Sequence, residues 1–533
     1  MSTRMMPRRA LAPVHPDVAA ILKRFDCAKE QKERWRSLLT EVFAYFFPQR
    51  TAFAGGVTSG DKTTAGMRTT DDIFDSTAVK AAQRLAGRLQ NVLYPAFRQW
   101  VQLEAGSDTP KDSRRQVNEQ LEEYTDILFE HIHASNFSTA AEESAYDYIV
   151  GTGTIMCQHG TLLNPVEYNS VSLLECIPEE GPNGMVETMF RERAIAARNI
   201  MRLWPRATLG RELLQKIEKA PDEGVTIIDA PIYDAESNTY EYVVIYPGAK
   251  EAIFAERMLY SPAIVYRWAK NAGETLGRGP CLTALPSVRT LNSVWETMLK
   301  VGQMALEPPI LSGDGAVNPG VFQFRPGTIN QVKNIDQIRE MKAGFSADYG
   351  LVIIENERAA IKEALFASKA SPGVGPIRTA TEWIMLQKEL LDDIGGNFPR
   401  LYGEFLFRVV RNTAAILSDF GKLPPIRVDG KDVTVRFTGP LAQAQNEDDL
   451  LAFQRYWEVM IAVSPEVAML NTKVEDLGEY VADKTKLPMS LIRDQPERAE
   501  LQKLAAGLVA AQMMAAQSGG GKPAAPQQMA AAA

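Results

Sequence analysis

The chain has 533 residues, a formal net charge of −8, and 45% hydrophobic and 8% aromatic residues. That composition is globular rather than disordered, and its acidic balance excludes a protein that coats nucleic acid through a basic face. No run of eighteen apolar residues occurs, so no membrane-spanning helix is expected. Cys27, Cys157, Cys176 and Cys281 lie far apart and read as reduced, buried thiols without a zinc or disulfide spacing.

The first strong element is a helix over Val18 to Phe47, stopped by Pro48, because proline cannot continue the backbone hydrogen-bond ladder. The N-terminal MSTRMMPRRA before it lacks an apolar run to follow its basic residues, so it does not read as a secretory signal and a cytosolic protein is expected. Gly55 to Thr63 has the glycine content of a phosphate loop, but Asp61 stands at the lysine position and no apolar strand precedes it; a surface loop is expected.

A second helix follows, capped by Asp75 or Ser76 and closed by Pro95, with Ala78, Ala82, Leu85, Leu89 and Val92 on its apolar face and Lys80, Arg84 and Arg88 on another. The basic stripe reads as a solvated face. Helices are also expected over Asp112 to Ala134 and Ser138 to Val150.

From Gly151 to Trp268 the period changes to short β-branched and aromatic runs, GTGTIMCQ, VETMFRERAI, TYEYVVIY and AIVYRW, divided by turns such as Pro182-Asn-Gly184. These are strands, and the fold class is α+β. Cys157 and His159 form one isolated pair, read as neighbours on a strand rather than metal ligands.

A long helix is expected from Pro286 to Leu306, with Leu291, Trp295, Met298 and Leu299 on its apolar side and Pro308-Pro309 as its stop. A strand-and-turn insert over residues 307–355 leads to a second helix from Asn356, its N-cap, to Ala367. The next segment, SKASPGVGPIR over Ser368 to Arg378, is a Gly/Pro-rich loop between helices. Thr379-Ala-Thr-Glu382 after it is a capping box: the Thr379 hydroxyl accepts from the Glu382 backbone and the Glu382 carboxylate reaches back. No buried strand and no phosphate-loop lysine spacing accompany the loop, so nucleotide binding is not expected.

The helix from Ala380 is disturbed at Gly395-Gly-Asn397 and Pro399 and resumes to Leu417. IRVDGKDVTVRF then reads as a hairpin across Asp429-Gly430. Helices follow over Glu447 to Val463 and Leu491 to Ala516, and residues 517–533 are low-complexity and expected to be disordered.

Taken in order, Trp35 with Phe47-Pro48, Asp75-Ser-Thr-Ala78 with Leu85-Ala86 and Leu89, Arg267-Trp268 with Gly273-Glu274 and Gly277-Arg-Gly-Pro280, Leu285-Pro286 with Leu291-Asn292, Pro308-Pro309, Thr379-Ala-Thr-Glu382 and Gly439-Pro-Leu-Ala442 resemble the head-to-tail connector, or portal, proteins of short-tailed bacteriophages. Each piece alone is weak, and their shared order over nearly the whole chain is what is specific. Leu276 before Gly277-Arg278 and Gly395-Gly-Asn397 depart from the family pattern, which bears on closeness within the family.

The resemblance implies a dodecameric ring at one capsid vertex of the virion, assembled in the host cytoplasm, through which double-stranded DNA is packaged and ejected. It implies as partners a terminase motor, a scaffolding protein, the major capsid protein and a tail adaptor protein, with no membrane. On this layout residues 1–60 are an N-terminal helical segment and 61–281 a wing. The stem helices are 282–306 and 356–367, with a β-rich clip over 307–355 between them. Residues 368–378 are a tunnel loop whose Lys369, Ser371, Pro372, Val374 and Arg378 face DNA, 379–440 a further wing segment and 441–516 a helical crown. Leu291, Trp295, Met298 and Leu299 would pack the stem.

No chemistry of its own is expected. The chain has four histidines, and its acidic pairs Asp71-Asp72, Glu142-Glu143 and Asp392-Asp393 fall in helical or capping contexts, so no catalytic residue, metal site or cofactor can be named. A packaging-associated nuclease or nucleotidase is the alternative reading. A peripheral membrane anchor over Leu504 to Met514 lacks the basic polar face such helices use.

Overall fold

The computed structural model describes residues 16–53, 73–306, 310–312, 338–340, 347–367, 396–425, 428, 433–438, 440–464 and five single positions between 471 and 484. It forms two compact units, residues 1–441 and 442–533, with an α+β architecture in the first.

The first helical stretch is two helices, not one: α1 (Val18–Glu33) and α2 (Arg36–Phe46). Neither glycine nor proline marks the break. It arises because the two halves serve different cores. α1 buries Ile21, Phe25 and Ala28 on a β-sheet, whereas α2 buries Leu39, Val42, Phe43 and Phe46 in the main core. Trp35 sits at the corner, beneath the Arg278 guanidinium at 4.9 Å.

α3 (Thr77–Leu93), α4 (Lys111–Ala134) and α5 (Phe137–Val150) follow expectation within a residue or two. β1 (Val101–Ala105) lies between α3 and α4. A three-stranded antiparallel sheet has β2 (Thr152–His159) at its centre, flanked by β3 (Val166–Ser170) and β9 (Ala263–Arg267).

A five-stranded antiparallel meander comprises β4 (Cys176–Glu180), β5 (Val186–Ala196), β6 (Gly224–Asp234), β7 (Thr239–Tyr246) and β8 (Glu251–Met258). Two short helices, α6 (Ile200–Leu203) and α7 (Arg211–Lys219), interrupt it. Along β7, Tyr242, Val244 and Tyr246 pack toward α6 and α7, while Val243 and Ile245 pack toward α1. A sheet covered on both faces reads as a continuous apolar run, which is why TYEYVVIY shows no clean alternation.

α8 (Pro280–Leu306) begins six residues before the expected Pro286, which lies inside the helix. Pro280, not Pro286, takes the first position, where the missing N–H costs nothing. β10 (Ile310–Ser312) and β11 (Ile338–Glu340) pair antiparallel. α9 (Ala347–Ala364) starts well before Asn356, which is therefore a mid-helix residue and not a cap, and the expected β-rich insert ends in helix.

Downstream, α10 (Phe398–Leu401) starts at Asn397-Phe-Pro399, runs through a π-helical turn at Tyr402–Leu406 and continues as α11 (Phe407–Asp419). β12 (Val433–Phe437) pairs with β1, in the register Val101 to Phe437 and Ala105 to Val433. The pairing is between strands far apart in sequence and brings Val433 and Val435 together with Val101 and Leu103 in the main core; the Asp429-Gly430 turn of the expected hairpin lies outside the described residues. α12 (Pro440–Val463) starts earlier than Glu447, with Pro440 at its first position. The loop Gly55–Thr63, Thr379 and Glu382, and the terminal helix and tail lie outside the described residues.

Candidate functional site

The centre of interest is the long helix α8, how it is rooted, and how α9 returns along it. The root is the motif Arg267-Trp268…Gly277-Arg-Gly-Pro280. Trp268 donates its N–H to the Gly151 carbonyl at 2.9 Å, Gly279 to Val150 at 2.9 Å, and Arg278 to Ala269 at 2.7 Å. Gly277 donates to the Thr152 hydroxyl at 2.9 Å.

The glycines are required by backbone lying on backbone. A Cβ on Gly279 would stand 2.1 Å from the Ile149 carbonyl oxygen, and one on Gly151 would stand 2.0 Å from that of Gly277. No side chain fits there.

Arg267 is fully buried and forms a closed network. Its Nη2 donates to Glu404 Oε1 at 2.7 Å and to the Gly184 carbonyl at 2.8 Å, and its backbone N–H donates to Glu404 Oε2 at 2.9 Å. Glu404 comes from the π-helical turn, so the extra residue in that turn aims a carboxylate at the end of β9. A buried pair of this kind is stable only with its remaining donors satisfied, and the Gly184 carbonyl supplies one of those partners.

About three to four turns past the root, α8 and α9 meet α3. Asp75 Oδ1 accepts the Thr77 N–H at 2.7 Å, so it is Asp75, not Ser76, that caps α3. Its Oδ2 accepts from Trp295 Nε1 at 3.1 Å and from Arg358 Nη2 at 2.6 Å. The Arg358 guanidinium also lies 5.6 Å from the centre of the Trp295 ring, and Asn292 accepts the Phe74 N–H at 3.0 Å. Burial pushes the Asp75 pKa up, but the Thr77 and Arg358 hydrogen bonds outweigh it and hold the carboxyl below its ordinary value. One carboxylate thus joins three helices.

α9 ends in a left-handed turn at Phe366, φ 53°, with the Phe366 ring stacked 6.2 Å from that of Trp268. The Phe366 carbonyl accepts from Arg88 Nη1 at 2.8 Å. This corrects the basic stripe on α3: Lys80 and Arg84 are exposed, but Arg88 is half-buried, and burial and then Arg84 lower its pKa. It fixes the chain just before Ser368.

Of the stem positions named from the sequence, Leu291 is buried, and Trp295 and Met298 are half-buried against the main core. Leu299 departs from them and is 47% exposed, because it falls at the margin of the stripe. Lys369, Ser371, Pro372, Val374 and Arg378 lie outside the described residues. Arg358 and Glu404 were not singled out from the sequence. The one available signal was Glu404 following the Pro399 disturbance.

Cys27 is exposed, contrary to expectation, while Cys157, Cys176 and Cys281 are buried and free. Burial pushes the Cys157 thiol up to about 12 and Cys176 to about 11, which makes both poor nucleophiles. His159 meets Asp419 at 2.9 Å rather than Cys157. Among the described residues no His/Cys/Asp/Glu group has a metal-holding arrangement, and no helix is long and apolar enough to cross a membrane.

A family model described as bacteriophage head to tail connecting protein matches residues 18–492. A probable portal protein of Bordetella phage BPP-1 is 24% identical over 490 residues, covering 87% of this chain and 85% of its own length. A chain from the virion of a native gene transfer agent particle aligns over 78% of this chain and 94% of its own, at 13% identity and a TM-score of 0.35. The family is a structural, non-enzymatic virion component. With that match running from the first turn of α1 to beyond α12, and with the root motif and the Asp75 cap inside it, the chain belongs to the bacteriophage head-to-tail connecting protein family.

Proposed function

We propose that this connector assembles as a dodecameric ring at one capsid vertex and forms the channel through which double-stranded DNA is packaged and ejected. The observation that carries this reading is the α8–α9 pair. It is fixed at its root and carries uncovered apolar side chains beyond the Asp75 node: Leu299 on α8, and Tyr349 (66% exposed), Leu351 and Val352 (56%) on α9. Such a face wants further helices, and neighbouring copies around an axis supply them.

In this reading α8 and the C-terminal part of α9 are stem helices, and the segment between them, including β10 and β11, is the clip. The body of residues 61–281 and 379–440 is the wing, residues 441–516 are the crown, and Ser368 to Arg378 is the tunnel loop. Lys369 and Arg378 offer DNA few phosphate contacts, and Ser371, Pro372 and Val374 form the tip, so the polymer slides rather than sticks. Terminase and the tail adaptor dock on the clip, and scaffolding and major capsid protein on the wing.

Negative-stain images of the purified chain test the ring: axial rings are expected, and monodisperse monomers at high concentration overturn it. Replacing Pro372 to Pro376 by a Gly-Ser linker tests the tunnel, with normal rings and less DNA per particle expected. Normal DNA content overturns the loop's role.

A further inference from the structure

Two arginines on α11 form no ion pair among the described residues, although the charges of Glu404 and Glu187 act on Arg408. Arg408 and Arg411 stand about one turn apart. The Arg411 guanidinium lies 4.3 Å from the centre of the Tyr260 ring and 5.9 Å from that of Phe407. Its buried Nε has no hydrogen-bond partner among the described residues. Arg408 donates to the Val186 carbonyl at 3.2 Å, and Glu404, whose charge acts on it, is already committed to Arg267 at 2.7 Å.

Burial, and then the charge of Arg408, lower the Arg411 pKa. A half-buried guanidinium set against two rings, with a like charge beside it and no carboxylate paired to it among the described residues, is a fork set for an oxyanion.

The complementary feature is on α4. Glu122, Asp126 and Glu130 recur every four residues along that helix, a spacing at which like charges repel. Partial burial, then Asp126 and Glu119, raise the Glu122 pKa. Asp126 accepts from Gln99 Nε2 at 2.6 Å, and among the described residues no cation forms an ion pair with Glu122, Asp126 or Glu130.

We infer that the Arg408–Arg411 fork receives a carboxylate of the α4 stripe, centred on Glu122 and Asp126, from a second copy of this chain. The inference rests on the ring reading above. Two different patches on one chain, each completing the other, make a head-to-tail contact, the kind that closes into rings. A DNA phosphate is the disfavoured occupant, since two half-buried arginines on a chain of charge −8 cannot supply the row of contacts that duplex binding needs.

The test uses the full chain, with ring formation read by sedimentation and negative stain and folding by thermal melting. Glu122→Arg with Asp126→Arg alters only the helix surface and should leave melting of the single chain unchanged. It should weaken ring association on the order of thirtyfold or more per contact, as for other paired interfacial charges. Arg411→Glu should do the same, and Arg411→Glu combined with Glu122→Arg should restore rings. Normal rings from the α4 variant, or no restoration in the combined variant when it melts normally, overturn the inference. Intact rings from Arg411→Gln that have lost duplex DNA retention also overturn it, in favour of a phosphate. If the wild-type chain forms no rings, the ring reading itself fails.

Discussion

The two halves of α8 differ in what they are packed against. The first half, with Cys281, Ala284, Leu285, Val288 and Leu291 buried in the main core, is finished within one chain: its backbone is clamped by glycines and its neighbour Arg267 is fully paired. The second half is tied to the body mainly through Trp295 and the Asp75 carboxylate, and then exposes Leu299. A single helix thus passes from intrachain core to a surface that exposes apolar side chains. Helix propensity is similar along it, so the difference lies in tertiary packing.

The sharpest way to break the near half is at its electrostatic root. Glu404→Ala leaves the buried Arg267 with only the longer 3.5 Å pair to Glu180 and should cost about 3–5 kcal/mol, read as a large fall in the urea midpoint; a loss under about 1 kcal/mol would mean that Glu180 or water replaces the carboxylate. Next, Leu285→Ala should cost about 2–5 kcal/mol in the monomer, whereas Leu299→Ala should stay within about 0.5 kcal/mol there and show its effect only in ring yield. Equal melting shifts for the two would erase the distinction between the halves.

At the boundary, Asp75→Asn removes the charge that joins α3, α8 and α9 and should cost about 1–3 kcal/mol. Because the folded-state pKa of Asp75 is depressed, its contribution is fully present above the unfolded value of about 4 and is lost as pH falls through the folded value. Acid melting curves of wild type and variant should therefore converge at low pH. The smallest effect is on α3: Lys80→Ala with Arg84→Ala should change stability by no more than about 0.5 kcal/mol. Adding Arg88→Ala should cost a further 1 kcal/mol or so through the Phe366 carbonyl; thermal melts of the double and triple variants separate the two.

Elements governed by local rules were legible in the sequence. The apolar stripe of α3, the Pro182-Asn-Gly184 turn, where Gly184 takes φ 74°, and the stop at Pro48 all follow from neighbours a few residues apart. What escaped depended on distant partners. The break at Trp35 exists because α1 and α2 face separate cores. β12 takes its partner β1 from far away in the chain, and the side that carries Val433 and Val435 faces the core with Val101 and Leu103. Asn356 looked like a cap, but the helix already runs from Ala347, with Ile354 one of its residues in the main core. At the candidate site, Asp75 was visible as a cap, but its second oxygen waits for Trp295 and Arg358 from far along the chain. Glu404 was hidden because only a π-helical turn directs it inward.

The clamp of glycines at the origin of α8 also makes that helix a lever. Twenty-seven residues at the usual rise give an arm of about 40 Å, anchored where backbone touches backbone and no side chain can cushion a shift. One degree of tilt at the anchor moves the tip by about 0.7 Å over that arm. A small displacement of β2 or α5 therefore arrives at the far end several times larger, which makes the Gly151–Gly277 contact a place where strain in the body is converted into motion at a distance.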